Sequence, residues 1–215
     1  MDEALSTSSW EVDAWAVDAV LRAGARMDRF GWVPATAGNI SVRMGDRAAG
    51  YRAAVTRSGV HKGFLRPADV IACDLHGAAL RPGDKPSAET LLHCQLYRDF
   101  PAIGAVLHGH SPAATVLSMT EKSDRLSFSG YELLKAFEGQ STHETTLDLP
   151  LFDNDQDMAR LASVVAPSLP SCRMGYLIRG HGVYVWGPDM DTALARLEGL
   201  EFLLACELER RKLRA

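Results

Sequence analysis

Three short β-prone runs, residues 40–43, 51–55 and 70–74, follow one another across spacers rich in Gly, Asp and Pro. Parallel neighbours need a crossover, usually a helix, and these spacers carry no helical pattern, so the runs are left with antiparallel pairing. The flanks are helical in character. Ser8 and Glu11 have capping-box spacing, and Trp15, Val17, Val20 and Leu21 suit one long helix ending near Gly31. Ser87 is placed to cap a second helix running to about Asp99, and residues 102–108 read as a buried strand. Ser111-Pro112 then has the form of an N-cap followed by the first helical residue.

The second half keeps the mixture. Asp155 precedes a helix whose Met158, Leu161, Ala162 and Val165 recur at i, i+3, i+4 and i+7. Residues 176–179 and 183–186 read as strands around Gly180-His181-Gly182. A last helix over about 190–211 presents Leu194, Leu197, Leu200, Leu204 and Leu208, with Glu207 and Arg211 one turn apart. No repeat, linker or low-complexity tract divides residues 1–215, so one α/β sandwich is expected over the whole chain.

Composition narrows the partners. Hydrophobic residues are 47% of the 215, which is globular and not disordered material. Acidic residues outnumber basic ones 27 to 23, so there is no pervasive positive field, and neither nucleic acid nor a membrane surface is expected as a partner. No run approaches the roughly 18 apolar residues of a spanning helix. The first nine residues, acidic and then Ser/Thr-rich, lack the plan of a signal peptide, so a cytoplasmic location is expected. Cys73, Cys94, Cys172 and Cys206 are widely spaced without a C-x-x-C pair and are read as reduced, buried small hydrophobes. The phosphate loop G-x-x-x-x-G-K-[ST], H-E-x-x-H and the G-x-S-x-G elbow are absent, and Gly180-x-Gly182 lacks the third glycine of a dinucleotide site.

The histidines carry the chemistry. His108 and His110 flank Gly109 on a predicted strand, and a period of two puts both imidazoles on one face, within reach of one cation. Two hydrogen-bonded polar residues at a strand end would have the same spacing. His181, framed by two glycines, is placed to complete a three-imidazole set; such a set leaves coordination space for substrate oxygens and suits a Lewis acid better than a closed structural zinc. Three imidazoles also accept iron, cobalt or manganese. His93 stands one turn after Glu89 and can pair with it; His61, His76 and His143 fall in predicted loops. Pro86-Ser87-Ala88-Glu89 opens a helix where free N–H groups favour an anion, and the turns at Thr36-Ala37-Gly38-Asn39 and Thr56-Arg57-Ser58-Gly59, with Lys62 behind the second, are donor-rich in the way of a phosphate cradle or an ordinary turn. Glu132 opens a further helix and reads as a surface glutamate.

These residues resemble the class II aldolase and sugar-phosphate epimerase superfamily, which also contains adducin-like members. The resemblance runs from Gly31 to about Glu207. It rests on Gly31-Trp32-Val33-Pro34-Ala35-Thr36 with Gly38-Asn39-Ile40-Ser41, on Lys85-Pro86-Ser87-Ala88-Glu89-Thr90, on Leu107-His108-Gly109-His110-Ser111 and on Arg179-Gly180-His181-Gly182. Gly130-Tyr131-Glu132-Leu133 and Phe152-Asp153-Asn154-Asp155-Gln156-Asp157 point to a dehydratase branch. The resemblance implies a three-layer α/β/α sandwich around a mixed, mostly antiparallel sheet. It implies one zinc ion per subunit on His108, His110 and His181, with Glu89 nearby as acid/base or ligand, and phosphate held around Asn39, Ser58, Gly59 and Ser87. Glu132, standing about where aldolase relatives use a tyrosine, becomes the proton carrier. Relatives form homotetramers with active sites between subunits, an arrangement in which Glu132 could serve a neighbour's metal. Two departures stand out: Gly109 replaces a common threonine, and Ala88 a second serine of some aldolases. The implied activity is loss of water from a methylthio-bearing keto-sugar phosphate to give a 2,3-diketone in methionine salvage. A fuculose-phosphate-type aldolase or an epimerase uses the same metal motif, and a non-catalytic adducin-like module is the rival from another class, against which the three retained histidines speak.

Overall fold

A computed structural model describes residues 10–46, 48 and 50–214. The first helix, α1 (Ala14–Arg29), buries Ala16, Ala19, Val20, Ala23 and Met27 on one stripe. Ser8 of the expected capping box lies outside the described residues, and the helix starts at Ala14 behind Asp13. It stops in a Schellman motif: Gly31 N–H donates to the carbonyl of Asp28 and Trp32 N–H to that of Met27.

The sheet has eight strands. The three runs that opened the sequence reading are β1 (Asn39–Met44), β2 (Arg52–Thr56) and β3 (Val70–Cys73), and they pair antiparallel in series. The remaining strands are β4 (Ala105–Gly109), β5 (Arg125–Ser129), β6 (Thr146–Phe152), β7 (Tyr176–Ile178) and β8 (Val183–Gly187). Their order is β3-β2-β1-β4-β8-β7-β6-β5, antiparallel throughout except for β6 against β7. The mixed, mostly antiparallel sheet is therefore present. β5 and β6 were not anticipated, although Leu126 and Phe128, then Leu147, Leu149 and Leu151, alternate inward as a half-buried pair requires.

Helices cover both faces. One core joins α1, α3 (Pro112–Thr120) and α5 (Met190–Lys212) to Ile40, Leu107, Val183 and Val185. The other joins α2 (Thr90–Asp99) and α4 (Met158–Val165) to Val55, Val106, Tyr176 and Tyr184. Leu107 and Val106 thus face opposite layers, as neighbours on a pleated strand must. Leu197, Leu200 and Leu204 of α5 are buried and Leu194 and Leu208 partly so, while Arg211 meets Glu207 at 2.9 Å. No helix of the described residues is long and apolar enough to cross a membrane.

Three local expectations are corrected. Ser87 is not the N-cap of α2: Glu89 holds that position, and Ser87 offers its carbonyl to Thr90 N–H. Asp157, not Asp155, caps α4, because its carboxylate alone reaches the amides of Ala159 and Arg160; Asp155 pairs with the Arg160 side chain instead. The helix at Glu132 is a short 3-10 segment, Glu132–Ala136. By contrast Ser111 caps α3 as expected, accepting from Ala114 N–H at 3.0 Å with Pro112 in the first turn. Cys73, Cys94 and Cys172 are buried free thiols, whereas Cys206 is only partly covered.

Candidate metal centre

β4 lies between β1 and β8, so its C-terminal end is held on both sides: His108 is opposite Asn39 on one side and Tyr184 on the other. The His108 ring is fully buried and stacks on Tyr184 at 4.1 Å between centroids. Its Nδ1–H donates to the carbonyl of Val183 at 2.8 Å, which leaves the lone pair on Nε2. His110, just beyond the strand, is anchored by its own N–H donating to the Trp32 carbonyl at 2.7 Å, so the end of α1 fixes it. His181 sits in the β7–β8 turn. Gly182 beside it has no room for a side chain: a Cβ there would come within 2.2 Å of the Gly109 carbonyl oxygen, and Gly180 takes a φ of +61°. The two glycines are thus the reason His181 can approach the end of β4.

The three rings converge. His110 Nε2 is 2.8 Å and His181 Nε2 3.3 Å from His108 Nε2, and the ligand atoms all lie within 4.8 Å of one another. Tetrahedral ligands with bonds of about 2.0–2.1 Å would stand roughly 3.3 Å apart. All three imidazoles are held neutral. Burial drives His108 well below the ordinary histidine range, with His110 and His181 adding repulsion; burial and His181 bring His110 to about 4; burial lowers His181 while Glu89 opposes it. His108 Nε2 can accept from a facing ring N–H, and three imidazoles that are neutral and converge their Nε2 atoms at these distances make a donor set that fits a metal ion.

Around the rings, Glu89 has one carboxylate oxygen 3.8 Å from His181 Nε2 and the other accepting from Asn39 Nδ2 at 2.7 Å and from Ser87 Oγ at 3.5 Å. Asn39 is buried and its Oδ1 has no partner among the described residues. The Ser58–Gly59 turn is brought alongside: Ser58 N–H donates to the Lys85 carbonyl and Arg57 bridges to Pro86. Asn39, Ser87 and Glu89 therefore form one edge of the centre, and the Ser58 backbone is tied to the segment that leads into Ser87. Glu132 does not join it. It is exposed, its carboxylate held below the usual range by Lys135 at 2.5 Å, with His143 at 3.8 Å. His93 does not pair with Glu89 either; its Nδ1 bonds Ser41 Oγ at 2.7 Å beneath the sheet.

Residues 18–208 match the class II aldolase and adducin N-terminal domain. The chain belongs to the class II aldolase and adducin family. Within that family it is 64% identical over 208 residues, covering 97% of this chain and 98% of the relative, to the methylthioribulose-1-phosphate dehydratase of Gluconacetobacter diazotrophicus. It is 66% identical over 191 residues to that of Gluconobacter oxydans, covering 89% and 90% of the two chains. Among solved class II aldolases it is similar to an L-fuculose 1-phosphate aldolase, with a TM-score of 0.77 at 20% identity over 94% of this chain and 89% of that one. One group near this class II aldolase centre was noted in the sequence only as a lysine behind a turn. Lys62 is 1% exposed, and neither its spacing nor its neighbours distinguishes it from a solvated loop lysine.

Proposed function

We propose that the protein is a zinc-dependent methylthioribulose-1-phosphate dehydratase, converting 5-methylthioribulose 1-phosphate to 2,3-diketo-5-methylthiopentyl 1-phosphate in methionine salvage. The observation that carries this reading is the near-full-length identity to relatives of that name. His108, His110 and His181 would hold one ion per subunit, and three neutral imidazoles suit zinc. When bound, the metal supplies a Lewis acid beside the substrate carbonyl.

The protein's own groups do the rest. Asn39 and Ser87 hold the Glu89 carboxylate beside His181, where it takes the proton from C3. Departure of the C4 hydroxyl needs an acid, and that role falls to Glu132. On its own chain Glu132 is exposed and kept ionised by Lys135, so it becomes an acid only when another surface buries it. An apolar cleft lined by Phe30, Trp32, Leu133 and Phe202 adjoins it and offers such a surface to a second copy. This supports a homotetramer in which Glu132 of one copy completes the centre of the next. The enol left by loss of water tautomerises to the diketone. Asn39, Ser58, Gly59 and Ser87 receive the phosphate. The whole chain acts as one unit, in the cytoplasm.

Proton NMR of zinc-loaded protein with methylthioribulose 1-phosphate tests the reading. The C3 and C4 carbinol signals should vanish as a methylene beside a ketone grows. Dihydroxyacetone phosphate plus a methylthio-aldehyde would make the protein an aldolase, and an unchanged spectrum from metal-replete protein would overturn both.

A further inference from the structure

The Lys62 ammonium is buried, yet among the described residues no carboxylate touches it. Its Nζ donates to the carbonyl of Thr36 at 2.6 Å and to that of Val60 at 2.9 Å. An ammonium has three N–H donors, so one remains for another acceptor. The two carbonyls belong to separate turns. Thr36 lies in the turn that leads into Asn39, and Val60 directly follows Ser58 and Gly59. Burial lowers the lysine to about 8, which leaves it mostly charged at neutral pH. The other cations at this edge are committed or solvated: Arg57 is tied to Asp84 at 2.6 Å, and Lys85 is exposed. A buried cation without an anionic contact is costly unless an anion completes it.

We propose that Lys62 is a positioning residue for the phosphate of the substrate: its ammonium ties the turn before Asn39 to the Ser58–Gly59 turn and supplies the positive charge that the anion faces there. This rests on the sugar-phosphate reading above. Beyond that reading, it assigns a role to a residue whose ammonium, among the described residues, bonds backbone carbonyls.

The test compares wild-type protein with Lys62→Met, which removes donors and charge, and Lys62→Gln, which keeps N–H donors for the carbonyls but no charge. Inorganic phosphate is the probe, titrated calorimetrically into metal-loaded protein, with metal content and the visible spectrum of the cobalt-substituted protein as checks on the centre. Both variants should keep one metal per subunit and an unchanged cobalt spectrum while binding phosphate at least tenfold more weakly. Their KM should rise by more than their kcat falls. If Lys62→Met does not fold, Lys62→Gln carries the comparison. Unchanged phosphate affinity in a metal-replete variant overturns the role of Lys62 alone. Loss of metal in both variants overturns it too, placing the residue in the folding of the metal centre. Absence of phosphate binding to the wild type removes the phosphate subsite itself, and with it the sugar-phosphate reading.

Discussion

His108 does two things with one ring: Nδ1 is spent on the Val183 carbonyl, so Nε2 is left to meet His110 and His181. Replacing any of the three by alanine should therefore lower metal affinity by roughly 100-fold or more, read as metal retained per subunit after dialysis. Glu132→Gln should abolish turnover and leave metal content unchanged, since Glu132 lies away from the rings; a fully active variant would remove it from the chemistry. A second titratable residue behind the centre, Glu201, is 3% exposed with Oε1 lacking a partner among the described residues, and burial raises it to about 7. A carboxyl raised in the folded state holds its proton there, so stability present below the unfolded value near 4.5 is lost as pH rises through about 7. Glu201→Gln should thus stabilise the protein at pH 8 by on the order of 2 kcal/mol and make little difference at pH 4.5, as thermal melts at the two pH values would show. The histidines were legible because period two and a glycine frame are sequence properties. Lys62 and Glu201 were not, because burial of a charged side chain is decided by which turns and helices close over it.

At the scale of elements, a helix begins where a side chain reaches its free amides. Asp157→Ala should cost about 1 kcal/mol through loss of the cap on α4, whereas Asp155→Ala, which breaks an exposed pair with Arg160, should cost less than about 0.5 kcal/mol; chemical denaturation distinguishes them. Helix existence was readable from period 3.6, but a choice between two aspartates two residues apart depends on the first turn's rotation, which periodicity does not report. The missed hairpin has a different cause. β6 carries Leu147, Leu149 and Leu151 at perfect alternation, but a proline within a run weighs against a strand, and Pro150 sits inside this one. Pro150 is tolerated because Leu151 N–H is the one that donates toward β5, so the N–H that Pro150 lacks faces the β7 side, where the ladder starts only at Leu151; that register is visible only after the strands are ordered.

For the whole molecule, the proposed sharing of a centre between copies predicts complementation. Glu132→Gln keeps the histidines and His181→Ala keeps the glutamate, so each variant alone should be inactive. Mixed oligomers formed by co-refolding should recover roughly a quarter of wild-type activity if assortment is random. No recovery would confine each centre to one chain. The layered fold itself followed from the antiparallel start and the helical flanks, while the place of β4 at the middle of the sheet did not, since pairing across long separations leaves no local trace. That placement also governs when the centre can exist during synthesis. His108 and His181 stand 73 positions apart, and a ribosome that has not yet delivered the second leaves at most two imidazoles for a cation to find. Contacts of such range must close a long loop before they reward it, so a cation held there would stabilise the finished sheet and would not seed its folding.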